Sequence, residues 1–169
     1  MRDSSGRGAS GQYATFMVSG HYLGVDVLGV QEVLRHQRLT RVPLAPDVVE
    51  GLINLRGQIV PALDMRRLLH LPPRDPSIAP LSVVVRTEQG AVSLQVDEIG
   101  DVVDLDGSCF ERPPKNVAPE LARLMEGVHK LRNRLLLILD TRRTVDVAAY
   151  EEGLANGRSD PGVLKQTES

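Results

Sequence analysis

GLINLRGQIVPALDMRRLL, Gly51 to Leu69, decides the fold because the chain carries it twice. Laid over GVHKLRNRLLLILDTRRTV, Gly127 to Val145, it matches without a gap at Gly51/Gly127, Leu55/Leu131, Arg56/Arg132, Leu63/Leu139, Asp64/Asp140, Arg66/Arg142 and Arg67/Arg143. Average residue usage gives about one identity by chance over such a length. Upstream, LGVDVLGVQEVL from Leu23 lies over VSLQVDEIGDVV from Val92 with its apolar positions in step. The chain therefore reads as an internal duplication of one small unit.

Each unit is β-rich. Tyr13 to Val18 and Tyr22 to Val27 flank Ser19-Gly20-His21 and predict a hairpin. Val30 to Val42 fits strand or helix by pattern alone, and Val42-Pro43-Leu44-Ala45-Pro46 breaks it. Asp47 is expected to cap one helical turn through Glu50, closed by Gly51. Leu52 to Leu55 and Gln58 to Leu63 form the next hairpin, with Gly57 supplying the positive φ of its turn. Pro61 places the second of these strands at an edge or a bulge. Asp64 then caps a helix over Met65 to Leu71, and the proline-rich segment Leu71 to Pro80 reads as a stiff linker.

The pattern restarts with Leu81 to Arg86 and Ala91 to Val96, then Ile99 to Leu105, a short helix from Pro119 to Met125, and a hairpin of Val128 to Leu131 with Arg134 to Leu139. A unit of about five strands hides its edges by closing into a small barrel. The expected architecture is all-β: two similar barrels packed together, with short connecting helices and a groove between them. The first spans about 12–71 and the second about 80–147, with exchange of strands between them open. Residues 1–11 read as a disordered lead-in and 148–169 as a flexible tail, in which Val147 to Ala155 could hold a weak helix.

Composition narrows the function. The 169 residues are 41% hydrophobic but only 3% aromatic, with net charge −2 and pI near 6.1. Nucleic acid would call for a basic face and stacking rings, and this chain offers neither. Its one cysteine, Cys109, forms no internal disulfide, which suits a reducing cytoplasm. No apolar run reaches the length of a signal core or a membrane span. None of the four histidines, His21, His36, His70 and His129, stands at metal-ligand spacing, so no metal and no cofactor is expected.

No nucleophile elbow, phosphate loop or dinucleotide fingerprint appears. Asp64 and Asp140 invite an acid–base reading, but the duplication explains both as helix caps. Arg56 at a hairpin tip can reach a partner's carboxylate, or anchor its own turn to Glu50 or Asp64; the residues alone leave both open. Glu32 in VQEVL fits a solvated strand face. A small-ligand or nucleic-acid-binding barrel is the alternative to a protein-recognition module.

Val30-Gln31-Glu32-Val33, Val42-Pro43 with Pro46, and Gly51-Leu52-Ile53-Asn54-Leu55-Arg56-Gly57 followed by Ile59-Val60-Pro61 together resemble the signature of CheW-like domains, the coupling adaptors of bacterial chemosensory systems. The likeness continues through VDEIGDVV and RLLLILD, from about Gln12 to Val145. It implies two intertwined five-stranded SH3-like barrels and a non-enzymatic cytoplasmic adaptor, recruited to receptor arrays. Its implied partners are the regulatory domain of a CheA-type histidine kinase, the cytoplasmic tip of methyl-accepting chemoreceptors and, within an array, other CheW-like chains. The positions matching the receptor surface are Val30, Glu32, Leu55, Arg56, Gly57, Val83, Val85 and Ile99. A kinase contact is implied around Leu39, Thr40 and Val42. His129-Lys130 and Asn133-Arg134 are expected to make the last hairpin more basic than its first copy, and Thr141 to Thr144 to weaken the helix after it.

Overall fold

The computed structural model describes residues 11–35 and 37–155. The expected lead-in before Gly11, His36, and the expected tail from 156 lie outside the described residues. Strands β1 (Gly11–Val18) and β2 (His21–Asp26) form the first hairpin, turning at Ser19 and Gly20 with φ of 47° and 81°. Asp26 caps a 3-10 turn at Val27–Gly29, its carboxylate accepting from the Leu28 N–H at 2.9 Å. The ambiguous stretch that follows begins as a strand, β3 (Val30–Arg35).

Strands β4 (Val49–Leu55) and β5 (Gln58–Asp64) make the second hairpin, and α1 (Met65–Leu68) follows. The helical turn expected from Asp47 to Glu50 does not form, because β4 already begins at Val49. The Val49 N–H closes a tight turn onto the Pro46 carbonyl, and Asp47 instead lies 3.5 Å from the Arg67 guanidinium. The helix expected over Met65 to Leu71 stops after Leu68, and His70 turns the chain with φ of 56°.

The second half supplies β6 (Leu81–Thr87), β7 (Gly90–Val96), β8 (Glu98–Leu105), β9 (Phe110–Glu111), α2 (Pro119–Ala122), β10 (Met125–Lys130), β11 (Leu135–Leu139) and α3 (Thr141–Ala155). Here α3 corrects one expectation, because it starts directly on the threonines that were expected to weaken it, and it continues to Ala155 over the stretch that could hold a weak helix. Asp140 accounts for the start: its carboxylate accepts from the Arg143 N–H, and its carbonyl accepts from both the N–H and the hydroxyl of Thr144. Burial of Val145 and Ala148 then holds the helix against the core.

The strands pair across the two halves of the chain. One sheet runs β8-β1-β2-β11-β10-β9 and the other β3-β6-β7-β5-β4. Each half thus lends its first hairpin to the other half's later strands, and the division near 71–80 separates no barrel. Pro61 lies on an interior strand, but β7 pairs with β5 only at Ala62, Leu63 and Asp64, so the missing N–H interrupts no bond on that side.

The duplication extends to hydrogen-bonding detail. Asp64 N–H donates to Val48 and Asp140 N–H to Leu124, each at 2.8 Å. Arg67 Nε lies 3.4 Å from Asp64, and Arg143 Nε the same distance from Asp140. Thr40 bridges Leu52 as Glu111 pairs with Val128. The paired glycines follow from that bridge. A Cβ at Gly51 would sit 2.7 Å from the Thr40 carbonyl oxygen, and one at Gly127 2.5 Å from that of Glu111.

Alternation along the strands splits the apolar residues between two faces of each sheet. Phe16, Leu23, Val83, Val85, Leu94 and Leu137 meet in a central core shared by both sheets. Each such side chain contributes about 1.5–3 kcal/mol of burial. Smaller clusters fill the barrels: Ile53, Leu55, Val60 and Val84 in one, Tyr13, Tyr22, Leu136 and Ile138 in the other. No helix of the described residues is long and apolar enough to cross a membrane.

Candidate docking surface

Glu32 sits on β3, an edge strand, where the register shifts between Val30 and Glu32 and the chain bulges. Arg56 stands at the tip of the β4–β5 hairpin with φ of 51°, followed by Gly57 at 86°. Two consecutive left-handed residues make the turn that suits the twist of a hairpin, and the Asn54 side-chain oxygen locks it by accepting from the Gly57 N–H at 2.9 Å. A left-handed arginine costs about 1–2 kcal/mol, yet it aims the guanidinium at β3. There its Nη2 donates to Glu32 Oε1 at 3.1 Å. Neither Glu50 nor Asp64 is the anchor. The Arg56 side chain remains 81% exposed, so the pair adds little stability and is displayed to solvent.

Of the other positions implied for a receptor, Gly57 is exposed, Val30 and Ile99 are half-buried at the margin of the central core, and Leu55 is buried inside its barrel. Val83 and Val85 are corrections. They are 1% and 0% exposed, because β6 turns both toward the central core, so neither side chain can meet a partner. Val30 pairs with Val85, and Val33 with Val83, so the two valines support β3 from behind.

The positions implied for a kinase lie together on the strand-like segment after β3. Thr40 and Leu52 exchange backbone hydrogen bonds of 2.9 and 2.8 Å. Leu39 packs on the small barrel core, and Val42 is exposed. Sequence reasoning passed over Leu44, which is 93% exposed at φ 63°. The turn closes from the Ala45 N–H to the Val42 carbonyl, with Pro43 at its second position. A leucine held left-handed in the open has no packing reason to be there; the signal was a proline followed by a residue other than glycine.

Beneath this loop a polar cleft is lined by Arg41, Asp47, Glu50, Asp64 and Arg67. Burial pushes the Glu50 carboxyl above its ordinary value and Asp64 adds to this, against Arg74, Arg67 and Arg41. Sequence reasoning also missed Arg74. Its side chain, 8% exposed, drops from the linker among three carboxylates: Asp97 at 3.5 Å, and Glu50 and Asp64 each at 3.9 Å. Arg66 holds Asp97 from the other side at 2.8 Å and donates to the Pro72 and Pro73 carbonyls. Burial alone would raise Asp97, but the Arg66 bonds, the Ser19 N–H and Arg74 hold it below the usual carboxylate range.

These ionisable groups neutralise one another and present no nucleophile with a base. Among the described residues no cluster of His, Cys, Asp and Glu is placed to hold a metal. His129 is fully buried, packed between Phe110 and Tyr13 at ring distances of 5.2 and 5.9 Å. The Arg134 guanidinium carbon lies over the Tyr22 ring, 3.6 Å from its centroid.

Residues 12–149 match the model of the CheW-like domain. The chain belongs to the CheW-like family. The Chemotaxis protein CheW of Bacillus subtilis (strain 168) is 32% identical over 131 residues, spanning 78% of this chain and 84% of that protein. The Thermotoga maritima Chemotaxis protein CheW is 26% identical over 140 residues, 83% and 91% of the two. The crystal structure of scaffolding protein TtCheW from Thermoanaerobacter tengcongensis superposes with a TM-score of 0.70 at 27% identity, covering 78% of this chain and 89% of that one. The two exchanged sheets of this CheW-like chain are accordingly two SH3-like β-barrels.

Proposed function

We propose that this CheW-like chain couples chemoreceptor cytoplasmic tips to a CheA-type histidine kinase, as a cytoplasmic scaffold that makes and breaks no bonds. The observation that carries the reading is the exposed Glu32–Arg56 pair, held by a built turn on an edge strand and placed beside Val30. The family to which the chain belongs, and the scaffolding protein to which it is similar, supply the context.

Physically this is helix recognition on a strand-and-hairpin surface. Apolar margin residues such as Val30 and Ile99 receive a helix's apolar stripe, while Glu32 and Arg56 trade their mutual bond for bonds that fix its register. The Leu39–Leu44 segment, on another edge of the same barrel, offers Val42 and Leu44 to the kinase regulatory domain. One rigid barrel that holds both partners lets a change in the receptor bias the kinase between its states. The test is binding of the full chain to each partner separately and together. A ternary complex is expected, with Glu32→Lys losing the tip and Leu44→Asp losing the kinase domain; binding to neither partner overturns the reading.

A further inference from the structure

The segment that carries Val42 and Leu44 is an arch. It spans a cleft of about 210 Å³ lined by its own Arg41, Val42 and Pro46 together with Glu50, Asp64 and Arg67. Unfilled space beneath a loop contributes no packing, so the posture of the arch depends on what holds its two ends. One end is the backbone pairing of Thr40 with Leu52. At the other, Asp47 meets Arg67 at 3.5 Å, and β4 bulges between Val49 and Gly51, which frees Glu50 from the ladder. Glu50 is thus a foot of the arch, and the cation it pairs with is Arg74 at 3.9 Å.

Arg74 links that foot to the rest of the molecule. The same guanidinium lies 3.9 Å from Asp64 and 3.5 Å from Asp97, which stands between β7 and β8, where the chain passes from one sheet to the other. Asp97 in turn accepts from the Ser19 N–H at 2.6 Å, in the turn of the first hairpin. Charge holds this junction rather than bonded geometry. Arg74 Nε and Nη2, and Glu50 Oε2, are buried with no hydrogen-bond partner among the described residues. Nor does the tie serve stability, since burial and Asp64 push the Glu50 carboxyl up and make its charge a cost to the fold. The duplication shows what the barrel itself requires. The second barrel repeats the bulge, between Met125 and Gly127, with Glu126 in the place of Glu50, and it repeats Asp64 and Arg67 as Asp140 and Arg143. At the same spacing Arg74 corresponds to Tyr150, so a barrel of this design closes without the arginine.

We propose that Arg74 is a positioning residue for the kinase-facing arch; this rests on the kinase-docking reading of Val42 and Leu44 above. By drawing Glu50 toward Asp64 and Asp97, it fixes one foot of the arch, and with it the posture in which both side chains are offered. It also ties that posture to the crossing between the sheets at Asp97 and Ser19. An arch released at this foot spends only part of its time in the competent posture, and its apparent affinity for the kinase domain falls by that fraction. Glu32 and Arg56 pair with each other and not with this cluster, so the receptor face is spared.

The experiment is calorimetric titration of the full chain with a CheA-type kinase regulatory domain and, separately, with a chemoreceptor cytoplasmic tip. It is read beside hydrogen exchange of the Ala45 N–H, which closes the arch onto the Val42 carbonyl. Glu50→Gln removes the tie while leaving Arg74 with Asp64 and Asp97, so the fold is kept. It should weaken kinase-domain binding about threefold to tenfold and speed exchange at Ala45, with tip affinity and thermal midpoint as in the wild type. Arg74→Lys, which keeps the charge and shortens its reach, should act in the same direction less strongly. Combined with Glu50→Gln it should add no further loss, because both changes cut one tie. Wild-type kinase affinity and Ala45 exchange in Glu50→Gln overturn the positioning role and leave the docking reading standing. Equal loss toward both partners with a lowered thermal midpoint also overturns it, by assigning the cluster to the fold. A wild-type chain that does not bind the kinase domain sinks the docking reading itself and this one with it.

Discussion

Glu32 and Arg56 show how one pair can be exposed, costly in backbone terms and still retained. The bond is open to water, so either partner is dispensable for folding. Arg56→Ala and Glu32→Lys are expected to shift unfolding free energy by no more than about 0.5–1 kcal/mol and to weaken receptor coupling about tenfold or more. Chemical denaturation beside tip binding reads both. The paired glycines behave oppositely. Gly51→Ala forces a methyl group against the Thr40 carbonyl, and Gly127→Ala against that of Glu111. Each is expected to cost about 1–3 kcal/mol in urea unfolding. At this scale the sequence was readable where the duplication repeated a residue with a local job, as at Asp64 and Asp140. It did not show the burial of Val83, Val85 and His129, which depends on which face of a strand meets another sheet. It was silent also on Arg74, whose carboxylate partners come from three separate segments.

Among the elements, the linker is the one whose reading changes most. Residues 71–80, expected as a stiff linker between units, are also tied to the body, because Arg66 grips the linker's carbonyls and Arg74 enters the carboxylate cluster. Asp97 is the hub, also accepting from the Ser19 N–H. A carboxyl held below its ordinary pKa contributes stability that is complete above the unfolded value near 4 and is lost as pH falls through its folded value. Asp97→Asn is therefore expected to cost about 3 kcal/mol near neutrality, and the gap from wild type should close on acidification below about pH 4. Glu50, pushed upward, has the opposite sign: its ionised form is the costly one in the folded state, so Glu50→Gln should cost little near neutrality. Hairpins and the Asp64 cap were legible here because each is a local pattern. The start of β4 and the run of α3 were not. A Pro46 turn and the packing of Val145 and Ala148 outweighed what Asp47 and the threonines favour alone.

For the whole molecule, strand exchange makes the two halves mutually dependent. Residues 12–71 alone lack β6 and β7, which complete their sheet, and 80–147 alone lack β1 and β2. Neither fragment should unfold cooperatively by calorimetry, whereas the two together should regain one transition; a fragment that melts cooperatively by itself contradicts the exchange. The same construction carries function. Both barrels are held in one body by the central core, so surfaces on different edges keep a fixed spacing. The duplication, the all-β class and the adaptor role were all readable from the repeated segment and the family signature. Which strands share a sheet was not, because pairing partners lie far apart along the chain.

The most direct measurement is ternary assembly of the full chain with a chemoreceptor tip and a CheA-type kinase regulatory domain, followed by size-exclusion chromatography with light scattering. The account predicts a single complex of all three, reduced by Glu32→Lys to the chain and kinase domain alone. A wild-type chain that elutes apart from both partners contradicts it.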